Sequence, residues 1–253
     1  MPRFKDKVVI VTGSARGIGQ AIALGFGREG AKVVVADIRI EQGKASEDKI
    51  KNEGGHALFI HTDVSRKIDV DAMVSETLKT FDQIDVLVNN AGICPFKNFL
   101  EISEDMWDQV LEVNLKGYFL CSQAVAKAMI KKSIKGRIVN ISSISSIVGG
   151  EQQAHYCSTK AGINLLTASM AIALGPYGIT CNAVLPGPIE TDINKEDLAN
   201  QAKRDYFIKR TPLRRIGQPE DLVGPVMFFA SDDSNWCTGS TLVVDGGILV
   251  NFQ

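Results

Sequence analysis

The sequence predicts a doubly wound α/β fold, a parallel sheet of about seven strands with helices on both faces. Two observations lead there. Short apolar, β-branched runs recur along the chain, and each is continuous rather than alternating. Strands buried on both faces look like this, and such strands belong to parallel sheets covered by helices. The intervals between runs are long enough for crossover helices and carry apolar residues at helical spacing.

The runs fall at 8–12, 32–37, 57–62, 85–89, 137–141, 180–185 and 241–244. Val70, Val74, Leu78 and Phe81 share one helical face. Segments 103–131 and 154–175 are long helical candidates. Ser103 followed by Glu104 and Asp105 predicts an N-cap with first-turn acids. Pro219 opens a further helix. Residues 161–189 carry no charge, but Asn164, Gly175, Pro176, Gly178 and Asn182 interrupt them, so they read as a buried helix and a buried strand. With no linker, repeat or low-complexity tract, residues 1–253 read as one domain. Its least regular part, 188–218, reads as a substrate lid.

Composition excludes several classes of function. Lys and Arg number 28 against 29 Asp and Glu, for a net charge of -1. That balance argues against nucleic acid or an acidic membrane as the main partner. The N-terminus lacks the apolar run of a signal peptide. The 5 cysteines are scattered and unpaired in sequence, which predicts reduced thiols in a cytoplasmic protein. The 3 histidines form no ligand pattern, so no metal site is expected.

The first run leads directly into Thr12-Gly13-Ser14-Ala15-Arg16-Gly17-Ile18-Gly19. A Gly-rich turn between strand and helix lets backbone N–H groups approach a pyrophosphate at the positive helix end. Asp37 ends the second run, where a carboxylate can accept hydrogen bonds from ribose hydroxyls and repel a 2′-phosphate. NAD is therefore expected over NADP, although Arg16 and Arg39 could neutralise that phosphate. Asp63 is placed either to meet adenine or to form a turn.

Thr12–Gly19 as TGxxxGxG, Asn89-Asn90-Ala91-Gly92, Asn114, Ser143, Tyr156-x-x-x-Lys160, Pro186-Gly187 and Val244-Asp245-Gly246-Gly247 occur in order over the whole chain. Together they resemble the short-chain dehydrogenase/reductase family, whose fold is of Rossmann type. The resemblance implies roles. Gly13, Arg16, Gly17, Ile18 and Gly19 match the pyrophosphate loop. Asp37 matches the NAD-selecting position, and Asp63 with Val64 the adenine contacts. Asn90, Ala91 and Gly92 line the middle of the cofactor. Pro186, Gly187, Ile189 and Thr191 match the segment that holds the carboxamide. Asn114, Ser143, Tyr156 and Lys160 match the catalytic tetrad, with Tyr156 and Lys160 also touching the cofactor. Family members commonly form tetramers through the two long helices, which are expected to pack against symmetry mates here. The apolar tail Ile248-Leu249-Val250 with Phe252 could add a second interface.

Tyr156 and Lys160, four apart on a helix, share a face. A phenol titrates near pH 10, and a neighbouring ammonium is expected to lower it. Tyr156 then takes the hydroxyl proton of a substrate while hydride leaves the same carbon. Ser143 holds that oxygen. By the resemblance, Asn114 helps to hold a water that links Lys160 to solvent.

Gly150-Glu151-Gln152-Gln153-Ala154-His155 precedes the base, and Thr191, Asp192 and Asn194 follow in the lid. This density of hydrogen-bonding groups suits a polyhydroxylated small molecule. Ser143, Gln152, Gln153, Tyr156, Thr191 and Asn194 are the expected substrate contacts. His155 reads as an exposed helix-start residue. The stretches GEQQAHY, ALGPYGITCNAVLPG, INKEDL and VDGGILVNFQ are similar to sugar 1-dehydrogenases within the family, which implies oxidation of an aldose at its anomeric carbon. One rival is 3-oxoacyl-(acyl carrier protein) reduction, with Arg210, Arg214 and Arg215 as a basic patch. The other is a dinucleotide-sensing regulator without chemistry.

Overall fold

The computed structural model describes residues 2–192 and 194–251. Phe252 therefore lies outside the described residues. Seven strands form one parallel sheet in the order β3-β2-β1-β4-β5-β6-β7. They are β1 (Val8–Thr12), β2 (Lys32–Asp37), β3 (His56–His61), β4 (Val86–Asn89), β5 (Arg137–Ile141), β6 (Thr180–Pro186) and β7 (Thr241–Val244). The order reverses at β1 and β4, so the carboxyl ends of these strands open a crevice.

The continuous apolar runs now have their reason. In β1, Val9 and Val11 face α1 (Gly17–Arg28) and α9 (Val223–Ala230), where Ile22, Phe26, Val226 and Phe229 cover them. Ile10 between them faces α3 (Lys67–Phe81) and α5 (Gly117–Lys131), against Val70, Met73, Val125 and Met129. All of these are buried, and each such side chain contributes about 1.5–3 kcal/mol relative to exposure. β7 departs from the expectation of a strand covered on both faces. It pairs only with β6, and Val243 is 39% exposed, because an edge strand has no further neighbour.

Ser103 Oγ accepts from the Met106 N–H, the expected cap, and opens α4 (Glu104–Leu111). The expected single helix over 103–131 is interrupted. A π turn at Glu112–Lys116 separates α4 from α5 and carries Asn114 to the interior. Such turns mark sites where one side chain must leave the regular helical path. α6 runs Ala154–Leu174. Pro219 opens a 3-10 turn, Pro219–Leu222, that leads into α9. Between β6 and that turn lie α7 (Lys195–Ala199) and α8 (Gln201–Arg210). α2 (Ile40–Asn52) completes the first half. Among the described residues no helix is long and apolar enough to cross a membrane, and no cluster of acidic, His or Cys residues could hold a metal ion.

Candidate active site

The Gly-rich turn is locked from the end of β4. Asn90 Nδ2 donates to the Thr12 and Gly13 carbonyls, both at 3.0 Å. Thr12 Oγ1 accepts the N–H groups of Asn90 and Ala91 at 3.0 and 3.2 Å. Gly13 has φ +64°, and a Cβ there would stand 2.7 Å from Ala91 Cα. At Gly19 a Cβ would stand 2.2 Å from the Gly13 carbonyl oxygen, so α1 begins directly under the turn. Arg16 occupies its N-cap position without a side-chain cap, and the first turn holds no acid. Its N–H groups and dipole therefore suit an anion, and the residues fit a dinucleotide pyrophosphate.

Asp37 is buried at the end of β2. Its Oδ2 accepts the Ala15 N–H and its Oδ1 the Arg39 N–H, both at 2.9 Å. The Arg39 guanidinium lies 3.5 Å from Oδ1. Asp63 adopts the turn-forming role, because its Oδ1 accepts from both the N–H and hydroxyl of Ser65.

A cleft of about 1070 Å³ runs from this turn across the strand ends. That is the upper range for ligand sites and leaves room for two partners. Gly13, Arg16, Gly17, Ile18, Asp37, Asp63 and Val64 line one end. Asn90, Ala91, Gly92, Pro186, Gly187, Ile189 and Thr191 line the middle, and Ser143, Gln153, Tyr156, Lys160 and Asn194 are also on its wall. Gly19, Asn114 and Gln152 are not. Gly19 packs under the turn. Asn114 is fully buried, and its amide makes a reciprocal pair with the Ile93 N–H and carbonyl, both at 2.8 Å. It thereby fixes the chain next to Gly92. Gln152 instead points its amide at Asn98 Oδ1, 3.1 Å away. Asn194 spends its amide within its own segment, accepting the Thr191 N–H and donating to the Ile189 carbonyl.

Tyr156 and Lys160 share a face of α6, and both line the cleft. Lys160 Nζ donates to the Ile141 carbonyl at 2.8 Å and stands 5.4 Å from the Tyr156 ring centroid. Burial pushes the Tyr156 phenol up, Cys94 adds to this, and the hydrogen bond with Ser143 pulls it back. Burial pushes Lys160 down to about 7. The expected lowering of the phenol by an ammonium is not found in this arrangement. Desolvation of both groups outweighs their attraction, with the amine beside the ring. Ser143 Oγ accepts the Ser145 N–H at 3.0 Å and shares a hydrogen bond with the Tyr156 phenol.

His155 is fully buried, not exposed, and its Nδ1 accepts the Tyr156 N–H at 2.9 Å. It satisfies a first-turn donor beside the phenol-bearing residue. The sequence reading missed Tyr118, whose hydroxyl donates to the same Ile141 carbonyl as Lys160, at 2.9 Å. The one signal for it was its position four residues after Asn114. Also missed were Cys94, Phe96, Lys203, Tyr206 and Phe207, and the cleft-facing side of the tail, Ile248, Leu249 and Asn251. Cys94, Phe96 and the tail lie on loops, which carry no periodic signal, and α8, which holds Lys203, Tyr206 and Phe207, is too polar to show an apolar face.

Sheet order, crevice and tyrosine–lysine pair define an α/β dinucleotide-binding oxidoreductase. Comparison with known proteins narrows the class. The family profile described as enoyl-(acyl carrier protein) reductase matches residues 13–249. The chain is 46% identical over 252 residues to an L-rhamnose 1-dehydrogenase (NAD(P)(+)) of Azotobacter vinelandii, covering 98% of each chain. It is 44% identical to an L-rhamnose 1-dehydrogenase (NADP(+)) of Thermoplasma acidophilum, covering 99% of each. A short-chain type dehydrogenase/reductase from Mycobacterium marinum superposes with a TM-score of 0.93 at 34% identity, covering 97% of this chain and 96% of that one. The chain belongs to the short-chain dehydrogenase/reductase family.

Proposed function

We propose that this chain oxidises an aldose, L-rhamnose foremost, at the anomeric carbon to the lactone, with NAD preferred over NADP. The observation that carries the reading is the meeting of Ser143, Tyr156 and Lys160 in one cleft with the Gly-rich turn and Asp37. The names of the relatives support the sugar. Bound nicotinamide supplies the carbon that accepts hydride. Tyr156 Oη takes the proton of the anomeric hydroxyl as its own phenolic proton passes to the uncharged Lys160 amine. Ser143 donates a hydrogen bond to that oxygen in both alcohol and carbonyl forms. Lys160, pushed down to about 7, exchanges a proton near neutral pH and so can carry it away from Tyr156. Asn114 and Tyr118 hold the Ile93 and Ile141 carbonyls beside this group. Gln153 and Thr191 are the sugar-facing side chains, and Asp37 disfavours a 2′-phosphate.

The carrier-protein alternative has less support. Arg215 is paired with Asp221 at 2.6 and 2.7 Å, and Arg214 donates to the Lys209 carbonyl. Arg210 bonds Tyr206 and the Asn251 carbonyl. These guanidiniums serve the chain's own structure. A chain that only sensed dinucleotide would need neither a buried lysine nor the serine beside the phenol. A matrix of aldoses against NAD and NADP, followed by NADH absorbance, tests the reading. L-Rhamnose should give the highest kcat/KM with NAD. Turnover of 3-oxoacyl thioesters and of no sugar would refute it.

The remaining readings follow from the same chain. Residues 188–218 act as a lid, 1–253 form one domain in the cytoplasm, and four copies assemble. Phe119 on α5 and Leu165 and Ile172 on α6 support assembly, being 45%, 74% and 81% exposed on the two long helices. Light scattering should give a tetramer. A monomer at micromolar concentration would contradict it.

A further inference from the structure

Arg16 follows directly the residue that Asp37 grips, since Asp37 Oδ2 accepts the Ala15 N–H at 2.9 Å. Its guanidinium turns toward the lid. Arg16 Nη1 lies 2.7 Å from Asp192 Oδ2, with the two side chains 41% and 48% exposed on the cleft wall. This ion pair joins the phosphate turn to the lid across 176 residues of sequence. At the same crossing, Thr191 Cγ2 lies 3.6 Å from where a Cβ on Gly17 would stand.

A ribose bound at Asp37 would hold its 2′ position beside the Ala15-Arg16 step, within reach of the Arg16 side chain. A 2′-phosphate brings about two negative charges at neutral pH and needs a cation. Arg39 and Arg16 are the two at hand. Arg39 already lies beside the buried Asp37 carboxylate, 3.5 Å from Oδ1. Arg16 is the cation left to decide the matter, and Asp192 competes for it. One guanidinium cannot serve both anions with full strength.

We infer that Asp192 is a cofactor-specificity residue: by holding Arg16 to the lid, it disfavours dinucleotides that carry a 2′-phosphate. The proposal rests on the reading of the cleft as a dinucleotide site and is independent of the sugar. Linkage makes the effect reciprocal. A 2′-phosphate that captures Arg16 releases the lid at Asp192, whereas an unphosphorylated ribose leaves the latch closed.

Calorimetric titration of the full chain with adenosine 2′,5′-bisphosphate and with adenosine 5′-monophosphate tests this. An exposed ion pair sets the scale at up to about fivefold. Asp192→Asn should tighten the bisphosphate by up to that factor and leave the monophosphate unchanged. Arg16→Met should weaken the bisphosphate and abolish the effect of Asp192→Asn, as the double-mutant cycle requires. Equal changes for both nucleotides, a benefit of Asp192→Asn that survives Arg16→Met, or binding of neither nucleotide would overturn the inference. A chain that follows the expected pattern but oxidises no aldose loses the sugar assignment alone.

Discussion

The two ends of the cleft are built by different means. The phosphate end is made of strand termini, backbone groups and buried side chains. Asn90 and Thr12 bond it across β1 and β4, and Asp37 bonds it across β1 and β2. The substrate end is made of loops, the segment between β6 and α9, and the tail. Beside the buried Ser143 and Lys160, partly exposed ion pairs such as Arg204 with Glu190 at 2.9 Å join its outer segments. A buried, fully bonded end has one arrangement, whereas an end held by exposed pairs worth up to about 1 kcal/mol each can be remodelled cheaply. One scaffold can therefore keep its cofactor while its substrate changes.

The sharpest way to separate chemistry from binding lies where the ends meet. Tyr156→Phe removes one oxygen and leaves the ring beside Lys160. Turnover should fall by about 10²–10⁴, the range for loss of a general base. Nucleotide affinity should hold within a few fold, because the phosphate end does not use that hydroxyl. Steady-state kinetics with a parallel nucleotide titration reads both. Undiminished turnover would remove Tyr156 from the mechanism.

A change at the phosphate end should instead strike stability and binding together. Gly19→Ala places a methyl 2.2 Å from the Gly13 carbonyl oxygen and 2.4 Å from Asn90 Nδ2. The turn must shift, at a cost of about 1–3 kcal/mol for overpacking. Urea denaturation should show that loss, with nucleotide affinity reduced alongside it. A full-strength variant would mean that α1 does not pack as tightly as its geometry requires.

The same contrast explains what could be read from sequence. The seven strands were legible because burial on both faces removes alternation, and their register then followed from sheet order. The two edge strands, β3 and β7, broke that rule, since an edge strand is covered less. At the phosphate end the glycines were legible because backbone geometry restricts residue type there, Asp37 because a carboxylate at a strand end suits ribose hydroxyls, and Asn90 through the family resemblance. The substrate end was not. Gln152 and Gln153 are neighbours of identical type, and no periodicity states which one faces the cleft. His155 was misread because an imidazole suits either water or a buried bond to the next N–H. The π turn that brings Asn114 inward was hidden within a pattern that continues on both sides of it.

Lys160 offers a subtler contrast between folded and unfolded chains. Burial holds its folded value at about 7, whereas the unfolded side chain keeps its proton to about pH 10.4. Between these values the unfolded chain binds more protons, so stability should rise with pH across the window. Below pH 7 and above the unfolded value this contribution should be flat. Lys160→Met removes the titration. The gain in Tm between pH 7 and 9.5 should therefore be larger in the unmodified chain than in Lys160→Met. Equal gains would mean that the amine is better solvated than its position implies.

The smallest expected effect tests the substrate end at its finest grain. Gln152 and Gln153 look interchangeable in sequence, but the backbone turns them apart. Gln152 sits at φ +62° and sends its amide outward to Asn98. Gln153 lines the cleft beside Ser145, whose hydroxyl donates to its Oε1 at 3.4 Å. Losing a neutral hydrogen bond to a sugar hydroxyl costs about 0.5–1.5 kcal/mol, or roughly two- to twelvefold. Gln153→Ala should therefore raise KM for the aldose by that factor, with KM for NAD unchanged. Gln152→Ala should stay within about twofold on both, as for a surface substitution. If the two effects were reversed, the chain before α6 would have to turn when sugar binds, and the wall of the substrate end would be Gln152 rather than Gln153.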